Sequence, residues 1–318
     1  MSNSKSTKVA SPTWPQWAGF VQFRVRPGDT AANLEAVRAG VGRLERTGPG
    51  LVVLPELWAG GFDYPTLARQ AGESGELLTA LTAIAGDYGI HLAGSLPEEV
   101  IDSGECRTFG KGVAFETGGI SGFGNSGSHV TPPPRGYYNT LYLVGPHGVV
   151  GSYRKQRLFS PMGEEEYFCP APAAPRPLQA PWGPVAALVC FDLRFPALAT
   201  AQVAAGADIL LVSAQWPEAR REHWQVLLRA RAIENQVFVV AANTCGRIGE
   251  RDFAGHSQVI APDGQLMIQA GAEEASAAVD LEWTLLTNTR SLFRTVPQVR
   301  KSSRSSQDGV LLDSYFFP

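Results

Sequence analysis

The sequence predicts an α/β fold, because short apolar runs with the composition of β-strands alternate with longer segments of helical composition. The clearest alternation lies in the second half of the chain, where residues 183–191, 208–213 and 235–243 are continuous apolar runs. Such runs are typical of strands that are buried on both faces. Residues 196–207 and 217–235 lie between them and are predicted to be helices.

The first half of the chain repeats the same alternation. Residues 18–23 are predicted to form a strand and residues 29–47 a helix that begins with polar capping residues. Residues 50–56 follow as a short β-rich run that ends in an acid. Residues 65–88 are helical in composition, and residues 90–98 are predicted to form the next strand.

Three segments depart from this pattern. Residues 1–16 lack the apolar core of a secretory signal and are predicted to be a flexible N-terminus. Residues 99–137 are rich in Gly, Ser and Pro, which indicates a long surface excursion and not a second domain. Residues 298–318 form a C-terminal tail whose polar start precedes an apolar end, and we expect that end to dock onto a surface.

The composition is that of a soluble globular protein. The chain has 318 residues, of which 44% are hydrophobic and 18% charged, so it can bury a sizeable core. A formal net charge of −3 gives no basic excess, and the composition therefore does not predict a nucleic-acid partner. No run of about 18 apolar residues is present, so no membrane span is predicted.

The cysteines and histidines do not indicate a metal centre. The four cysteines match neither a zinc ribbon nor a CxxC pair, and their low number suits a cytoplasmic protein. The five histidines form no HExxH motif, and the chain has neither a GxSxG motif nor a phosphate-binding P-loop. We therefore expect neither a metal nor a cofactor.

Cys190 is the first candidate catalytic residue. It ends an apolar run, and a helix is predicted to begin shortly afterwards at Pro196. The dipole and free N–H groups at a helix start can stabilise a thiolate. The position alone favours a different interpretation, in which Cys190 is a buried small hydrophobic residue.

Glu56 and Lys155 are two further candidates. Glu56 follows an apolar run directly, and a carboxylate at the end of a buried strand is unfavourable unless it is paired. The alternative interpretation is that Glu56 is a surface acid at the junction of a strand and a loop. Lys155 follows a strand-like segment, and by itself it is typical of a solvated basic cluster with Arg154 and Arg157.

Taken together, the motifs around these residues resemble those of the carbon–nitrogen hydrolases of the nitrilase superfamily. The matching motifs, in the order of that family, are LPELW at 54–58, YRKQRLF at 153–159, GEEEYF at 163–168 and CFDLRFP at 190–196. The resemblance extends over residues 17–297, which implies one carbon–nitrogen hydrolase domain. It also implies a four-layer αββα sandwich, in which two mixed sheets pack face to face with helices outside.

The resemblance assigns roles to these residues. Cys190 would attack an amide carbonyl, and Glu56 would transfer the protons. Lys155 and the backbone N–H of Phe191 would bind the oxyanion. The family's second glutamate corresponds to Glu164, although three adjacent acids leave Glu166 as an alternative.

The sequence after the cysteine indicates an amidase. True nitrilases have Trp–Glu after the cysteine, whereas Phe191 and Asp192 follow it here. Residues 215–236 are similar to those of ω-amidases, which remove the terminal amide of short α-keto acid monoamides such as 2-oxoglutaramate. The alternatives are an N-carbamoyl amino acid hydrolase, an aliphatic amidase or a non-catalytic binding protein.

Two residues are candidate substrate contacts in this branch. Trp216 would line the pocket, or it would be a core aromatic. Arg194 would meet a substrate carboxylate, or it would form a structural ion pair with Asp192 or Glu234. Members of the family usually form dimers, so the expected partners are a small-molecule amide and further copies of this chain, in a homodimer or a larger even-numbered assembly.

Overall fold

Two six-stranded mixed sheets form the centre of the computed structural model, which describes residues 14–100 and 136–296. The sheets pack face to face and carry helices on their outer faces, so the predicted four-layer αββα sandwich is confirmed. Most of the predicted excursion 99–137 and the tail 298–318 lie outside the described residues.

The elements follow one another along the chain, with short 3₁₀ turns between some of them. In order they are β1 (Trp17–Gln22), α1 (Thr30–Gly42), β2 (Gly50–Val53), α2 (Leu67–Tyr88), β3 (Ile90–Glu99), β4 (Tyr137–Gly145), β5 (Gly148–Arg154), β6 (Leu178–Ala180), β7 (Gly183–Val189), α3 (Pro196–Ala204), β8 (Ile209–Ala214), α4 (Arg221–Asn235), β9 (Phe238–Asn243), β10 (Cys245–Ile248), β11 (Arg251–Ala254), β12 (Gln258–Ile260), β13 (Leu266–Gln269), β14 (Ala275–Asp280) and α5 (Trp283–Leu292).

The two sheets share one plan. The first has the strand order β14-β1-β2-β3-β4-β5 and the second β13-β12-β9-β8-β7-β6. In each, three adjacent strands run parallel, β1 to β3 in one and β7 to β9 in the other, and antiparallel strands extend both sides. Helices connect the parallel strands, as a crossover between parallel strands requires. A separate hairpin is formed by β10 and β11.

Consecutive side chains of a strand point to opposite sides of its sheet. The central strands are buried on both faces, because each side of the sheet is covered by a core. Phe20 and Leu51 belong to the core between the sheets. Their neighbours Val21 and Val52 belong to a second core, which includes side chains of α1 and α2. Strands β7, β8 and β9 are likewise buried over most of their length, as their continuous apolar runs predicted.

The helix boundaries have local causes. The side chain of Asp29 accepts a hydrogen bond from the N–H of Ala32 at 3.0 Å, which caps the start of α1 as predicted. Helix α1 ends before the predicted boundary at residue 47, because Glu45 adopts a positive φ of 51°. Helix α2 ends at Gly89, whose left-handed conformation with φ 68° reverses the chain into β3.

The last strands were not predicted from the sequence. Strand β14 returns to the first sheet and pairs antiparallel with β1, so the last described strand lies beside the first one, and α5 follows it. Within the two described ranges, no helix is long and apolar enough to cross a membrane.

Candidate active site

Three predicted catalytic residues meet at the boundary between the two sheets. Glu56 lies just beyond β2, and Lys155 immediately follows β5, so both come from the first sheet. Cys190 immediately follows β7 of the second sheet. All three side chains are buried: Glu56 and Lys155 are fully inaccessible, and Cys190 is 6% exposed.

The carboxylate of Glu56 is held by three donors. Its Oε1 accepts from Nζ of Lys155 at 2.7 Å and from Nδ2 of Asn139 at 2.8 Å. Its Oε2 accepts from the backbone N–H of Gln215 at 3.0 Å, and the Gln215 side chain also donates to the Glu56 carbonyl at 2.8 Å. A buried carboxylate needs such partners, because burial without them is unfavourable. This carboxylate also acts electrostatically on the thiol of Cys190.

A second carboxylate, that of Glu164, lies on the other side of the lysine. Nζ of Lys155 donates to Oε1 of Glu164 at 2.8 Å, and the N–H of Phe159 donates to Oε2 at 3.2 Å. Glu164 is buried at the start of a 3₁₀ turn, whereas Glu165 and Glu166 are exposed. Among the three adjacent acids, therefore, the geometry brings Glu164 to the lysine.

The lysine is charged at neutral pH. Burial acts to lower the pKa of Lys155, but the Glu164 and Glu56 carboxylates outweigh it and hold that pKa well above its usual range. For Glu164, burial raises the pKa to about 7 even though Lys155 acts in the opposite direction. Lys155 therefore remains a cation between two carboxylates, one of which gains a proton near neutral pH.

Cys190 has an unusual backbone conformation. Its φ is +48°, in the left-handed region, where a non-glycine residue is strained and often functional. Its Sγ lies 3.8 Å from the carbonyl oxygen of Gln215, an acceptor that follows β8. The strained turn therefore directs the side chain towards the ends of neighbouring strands.

The expectation that a helix start stabilises a Cys190 thiolate is wrong. A 3₁₀ turn over Cys190–Arg194 separates the cysteine from α3, which begins at Pro196. Burial, and next the Glu56 carboxylate, raise the pKa of the Cys190 thiol well above its usual range. The resting group is a neutral thiol, so its attack requires a base.

Asp192 links the cysteine turn to the segment that carries the lysine. Its carboxylate accepts from the hydroxyl of Tyr153 at 2.8 Å and from the N–H of Arg157 at 2.8 Å. The N–H groups of Gln156 and Val189 add longer contacts of 3.2 Å each. Burial raises the pKa of Asp192 to about 6. These hydrogen bonds reach residues on both sides of Lys155 in the chain and the residue that directly precedes Cys190.

Trp216 is a core residue at the edge of the site. Its ring is 2% exposed, and its Nε1–H donates to the carbonyl of Arg220 at 2.8 Å. The guanidinium of Arg194 lies over the ring at 4.8 Å. The ring of Phe191, whose N–H is the predicted oxyanion donor, lies 5.0 Å from the Phe159 ring.

Of the two alternatives for Arg194, the ion pair with Asp192 or Glu234 is not formed. Glu234 instead pairs with Arg231 at 2.7 Å, and Asp192 is occupied by the donors described above. Arg194 contacts Nδ1 of His223 at 3.3 Å, and in the part of the chain that the structure describes it has no carboxylate partner. Its guanidinium is therefore available to an anion.

The sequence interpretation missed Asn139 and Gln215. Asn139 is a fully buried polar residue within β4, and a buried amide needs a partner. Gln215 follows β8, beside the strand whose end carries Cys190, and the ends of adjacent parallel strands lie together. Both signals are readable from the sequence once the strands are known.

The fold and these side chains together define a class of protein: a four-layer sandwich that holds a thiol, a lysine and two carboxylates between its sheets. The sequence model of the carbon-nitrogen hydrolase family matches residues 17–288. The chain therefore belongs to the carbon-nitrogen hydrolase family.

Its similarity to characterised relatives covers most of the chain. A 2-oxoglutaramate amidase of Bacillus subtilis is 29% identical over 88% of this chain and 96% of the relative. A 2-oxoglutaramate amidase of Paenarthrobacter nicotinovorans is 31% identical, with 90% and 89% covered. Human deaminated glutathione amidase is 31% identical, with 85% and 77% covered.

Solved structures of amidases and related hydrolases are also similar to this chain. A cysteine-to-serine mutant of the Nesterenkonia AN1 amidase, from the nitrilase superfamily, superposes with a TM-score of 0.66 at 28% identity, covering 88% of this chain and 96% of that one. A CN-hydrolase superfamily protein from Xanthomonas campestris gives a TM-score of 0.70 at 25% identity, with 87% and 94% covered. The chain is an amidase, and the alternative of a non-catalytic binding protein no longer applies.

Proposed function

We propose that this amidase removes the terminal amide of a short dicarboxylate monoamide through a thioester on Cys190, as an ω-amidase does. The observation that carries the catalytic part is that the buried Cys190 thiol and the Glu56 carboxylate both contact the main chain of Gln215, while Glu56 is itself bound to a charged lysine. A neutral thiol next to a base can be deprotonated as it attacks.

In the first half of the reaction, Sγ of Cys190 forms a bond to the amide carbon while Glu56 takes the thiol proton. The tetrahedral oxyanion is bound by Lys155 and by the backbone N–H of Phe191. Glu56 then gives its proton to the nitrogen, the C–N bond breaks, and ammonia leaves. Because the pKa of Lys155 is held high, the lysine stays charged throughout and serves as a donor, not as a base.

In the second half, a water molecule attacks the thioester while Glu56 accepts one of its protons. The same proton returns to sulfur as the C–S bond breaks, which releases the acid and restores the thiol. Glu164 holds Lys155 in place from the opposite side, through its 2.8 Å hydrogen bond. The groups of this centre and one water molecule account for every bond and proton of the cycle, so we propose that it uses neither a metal nor a cofactor.

The substrate part of the proposal is based on Arg194. This side chain lies four residues beyond the nucleophile, and no carboxylate of the described residues neutralises it. Burial lowers its pKa, and an anion nearby would relieve this effect. A substrate with a distal carboxylate supplies such an anion, and two relatives carry the name 2-oxoglutaramate amidase.

An aliphatic amidase is the second candidate. One structural relative, the Nesterenkonia amidase, has been solved in complex with butyramide, a substrate type without a carboxylate. An N-carbamoyl amino acid hydrolase would use the same centre on a different amide. The substrates of these two candidate enzymes differ from the proposed substrate in the part of the molecule that lies away from the reacting carbon.

The experiment compares kcat/KM for succinamate, 2-oxoglutaramate, butyramide and butyronitrile under matched conditions. We expect the two carboxylates to be preferred by roughly ten- to a hundredfold, the value of a charged hydrogen bond made in the transition state. Arg194→Met should remove this preference and leave butyramide hydrolysis little changed. Arg221→Met, at an exposed arginine paired with Glu218, is the matched control. Equal or faster hydrolysis of butyramide by the wild type would support an aliphatic amidase instead.

We further propose that the chain acts in the cytoplasm as a homodimer or a larger even-numbered assembly. The free thiol of Cys190 supports a reducing compartment, whereas the disulfide bond of Cys169 points the other way. Val226 and Ile233 are exposed large apolar residues one above the other on α4, and association would cover them. Light scattering at micromolar concentration tests the assembly, and a clean monomer would contradict it.

A further inference from the structure

The two oxygens of the Glu56 carboxylate are bound differently. Oε1 has two donors, Nζ of Lys155 and Nδ2 of Asn139, at 2.7 and 2.8 Å. Oε2 has one, the N–H of Gln215 at 3.0 Å. A carboxylate oxygen has two in-plane lone pairs, so Oε1 is fully occupied and Oε2 retains one free acceptor position. Oε2 is thus the oxygen that can accept the thiol proton, and the carbonyl of the same Gln215 that binds Oε2 lies 3.8 Å from Sγ of Cys190.

The orientation of the Asn139 amide follows from the same network. An ionised carboxylate only accepts hydrogen bonds, so the amide atom that faces Oε1 is the nitrogen. Asn139 is fully buried on β4, in a position where solvent cannot replace this donor. Its other amide atom, Oδ1, has no hydrogen-bond partner within the described residues. A buried asparagine of this kind is unfavourable for stability alone, which points to a functional reason for its presence.

We propose that Asn139 is a positioning residue that fixes the rotation of the Glu56 carboxylate, so that Oε2 stays on the side of Gln215 and can accept the proton of the Cys190 thiol. Its backbone has a related effect, because the Asn139 carbonyl accepts from the N–H of Lys155 at 2.9 Å. One residue thus holds the base through its side chain and the lysine through its main chain. This inference rests on the proposed role of Glu56 as the base.

The first test is Asn139→Leu, which keeps the approximate volume and removes the donor. Oε1 would then retain only Lys155, and the carboxylate could rotate away from the thiol. We expect kcat to fall roughly 10- to 100-fold, as for the loss of one hydrogen bond to a charged group, with KM changed less than about threefold. The acidic limb of the kcat/KM profile should move to higher pH, because the ionised carboxylate has lost a donor.

The second test is Asn139→Asp, which changes one atom and gives a signature that a structural defect would not. At neutral pH the introduced carboxylate repels Glu56, so activity should fall further than in Asn139→Leu. At lower pH the two carboxyl groups share a proton, and its O–H can donate to Oε1 as the amide does. Activity relative to the wild type should therefore rise as the pH is lowered. A ratio independent of pH would overturn the proposal.

Thr140→Val is the matched control. Thr140 is the next residue of β4, is equally buried, and donates to Oε2 of Glu98 at 2.7 Å, outside the catalytic centre. It should lose similar stability in thermal melting but keep the wild-type kcat and pH profile. Wild-type kinetics in both Asn139 variants, with Glu56→Gln inactive, would overturn the role of Asn139 alone. Normal turnover by Glu56→Gln would instead overturn the proposed base, and the role of Asn139 with it.

Discussion

The two sheets contribute to the site in different ways. The first sheet supplies Glu56, Lys155 and Asn139, whose side chains hold one another through charged hydrogen bonds of 2.7 to 2.8 Å. The second sheet supplies Cys190, which is positioned by a backbone turn with positive φ and by the acceptors of Asp192 around it. Acid–base groups are therefore positioned by electrostatics, and the nucleophile by backbone conformation.

This difference predicts how mutations in each half of the site affect stability and turnover. Removing one partner from the first half leaves another charge buried and unpaired, which destabilises the fold as well as the chemistry. Removing the thiol from the second half leaves no charge behind, because the pKa of Cys190 is raised and the group is neutral. Mutations in the first sheet should therefore affect stability and turnover together, whereas the nucleophile can be removed with little effect on folding.

Cys190→Ala should have the largest effect on turnover and the smallest on stability. Without the nucleophile, no thioester can form, and ammonia release should fall by at least about 10⁴-fold. The melting temperature should stay near that of the wild type, because only a small neutral side chain is lost. Ammonia release and thermal melting on the same sample measure both quantities. Substantial turnover by well-folded Cys190→Ala would exclude Cys190 as the nucleophile.

Lys155→Met should lower both turnover and stability. We expect at least about a hundredfold loss of kcat, the usual scale for a lost oxyanion donor. The Glu56 and Glu164 carboxylates would lose their shared cation, which should lower the free energy of unfolding by about 3–5 kcal/mol. Chemical denaturation monitors this change. Arg157→Met, at an exposed side chain close by, is the control and should change neither turnover nor stability much. A Lys155→Met variant that is both stable and active would contradict the proposed role of the lysine.

Asp192→Asn should lower kcat by about tenfold, because the substitution replaces an acceptor of the Val189 N–H by a donor. Its effect on stability depends on pH. Burial raises the pKa of Asp192 from its ordinary value of 3.8 to about 6, so the folded state binds this proton more tightly than the unfolded state. Wild-type stability from this group therefore falls as the pH rises from about 4 to 6.

The variant lacks that titration. Relative to the wild type, Asp192→Asn should gain up to about 3 kcal/mol in the free energy of unfolding between pH 4 and 7, since each pKa unit corresponds to about 1.36 kcal/mol. Denaturant titrations of both proteins at several pH values measure this difference. A difference that does not change over this interval would show that burial does not raise the pKa of Asp192.

The smallest expected signal concerns the state of the resting thiol. Because the pKa of Cys190 is raised, the wild type and Cys190→Ala should show the same thiolate absorbance near 240 nm at pH 7 to 8. A measurable excess in the wild type would indicate a resting thiolate, and the comparison between an ionic first half and a neutral second half would then be wrong.

Much of the sheet framework was predictable from the sequence. Strands β7, β8 and β9 are continuous apolar runs, which have few alternatives to a doubly buried sheet. The strands after residue 244 were not predicted, because they are short, most are partly exposed, and they carry no clear periodicity. Whether β14 pairs with β1 depends on contacts between distant segments, which local patterns do not report.

The site was predictable where a motif gave each residue a position. The motifs indicated Glu56, Lys155 and Cys190, and the structure brings these side chains together. The protonation state of the thiol was mispredicted, because it depends on burial and on the adjacent carboxylate, which are three-dimensional properties. Asn139 was missed for a similar reason, since its partner is 83 residues away along the chain.

The adjacent pair Arg154 and Lys155 has a consequence for insertions and deletions. Glu98 on β3 accepts from Arg154 on β5 at 2.6 and 3.0 Å, so one carboxylate fixes the register of β5 across the intervening strand β4. Strand β5 ends the hydrogen-bonded order of its sheet, where slippage is easiest. A shift of one residue would turn Lys155 outward and Arg154 inward. Changes in the length of the β4–β5 hairpin should therefore be tolerated only when Glu98 still meets Arg154, so this partly buried contact sets the register that places the buried lysine.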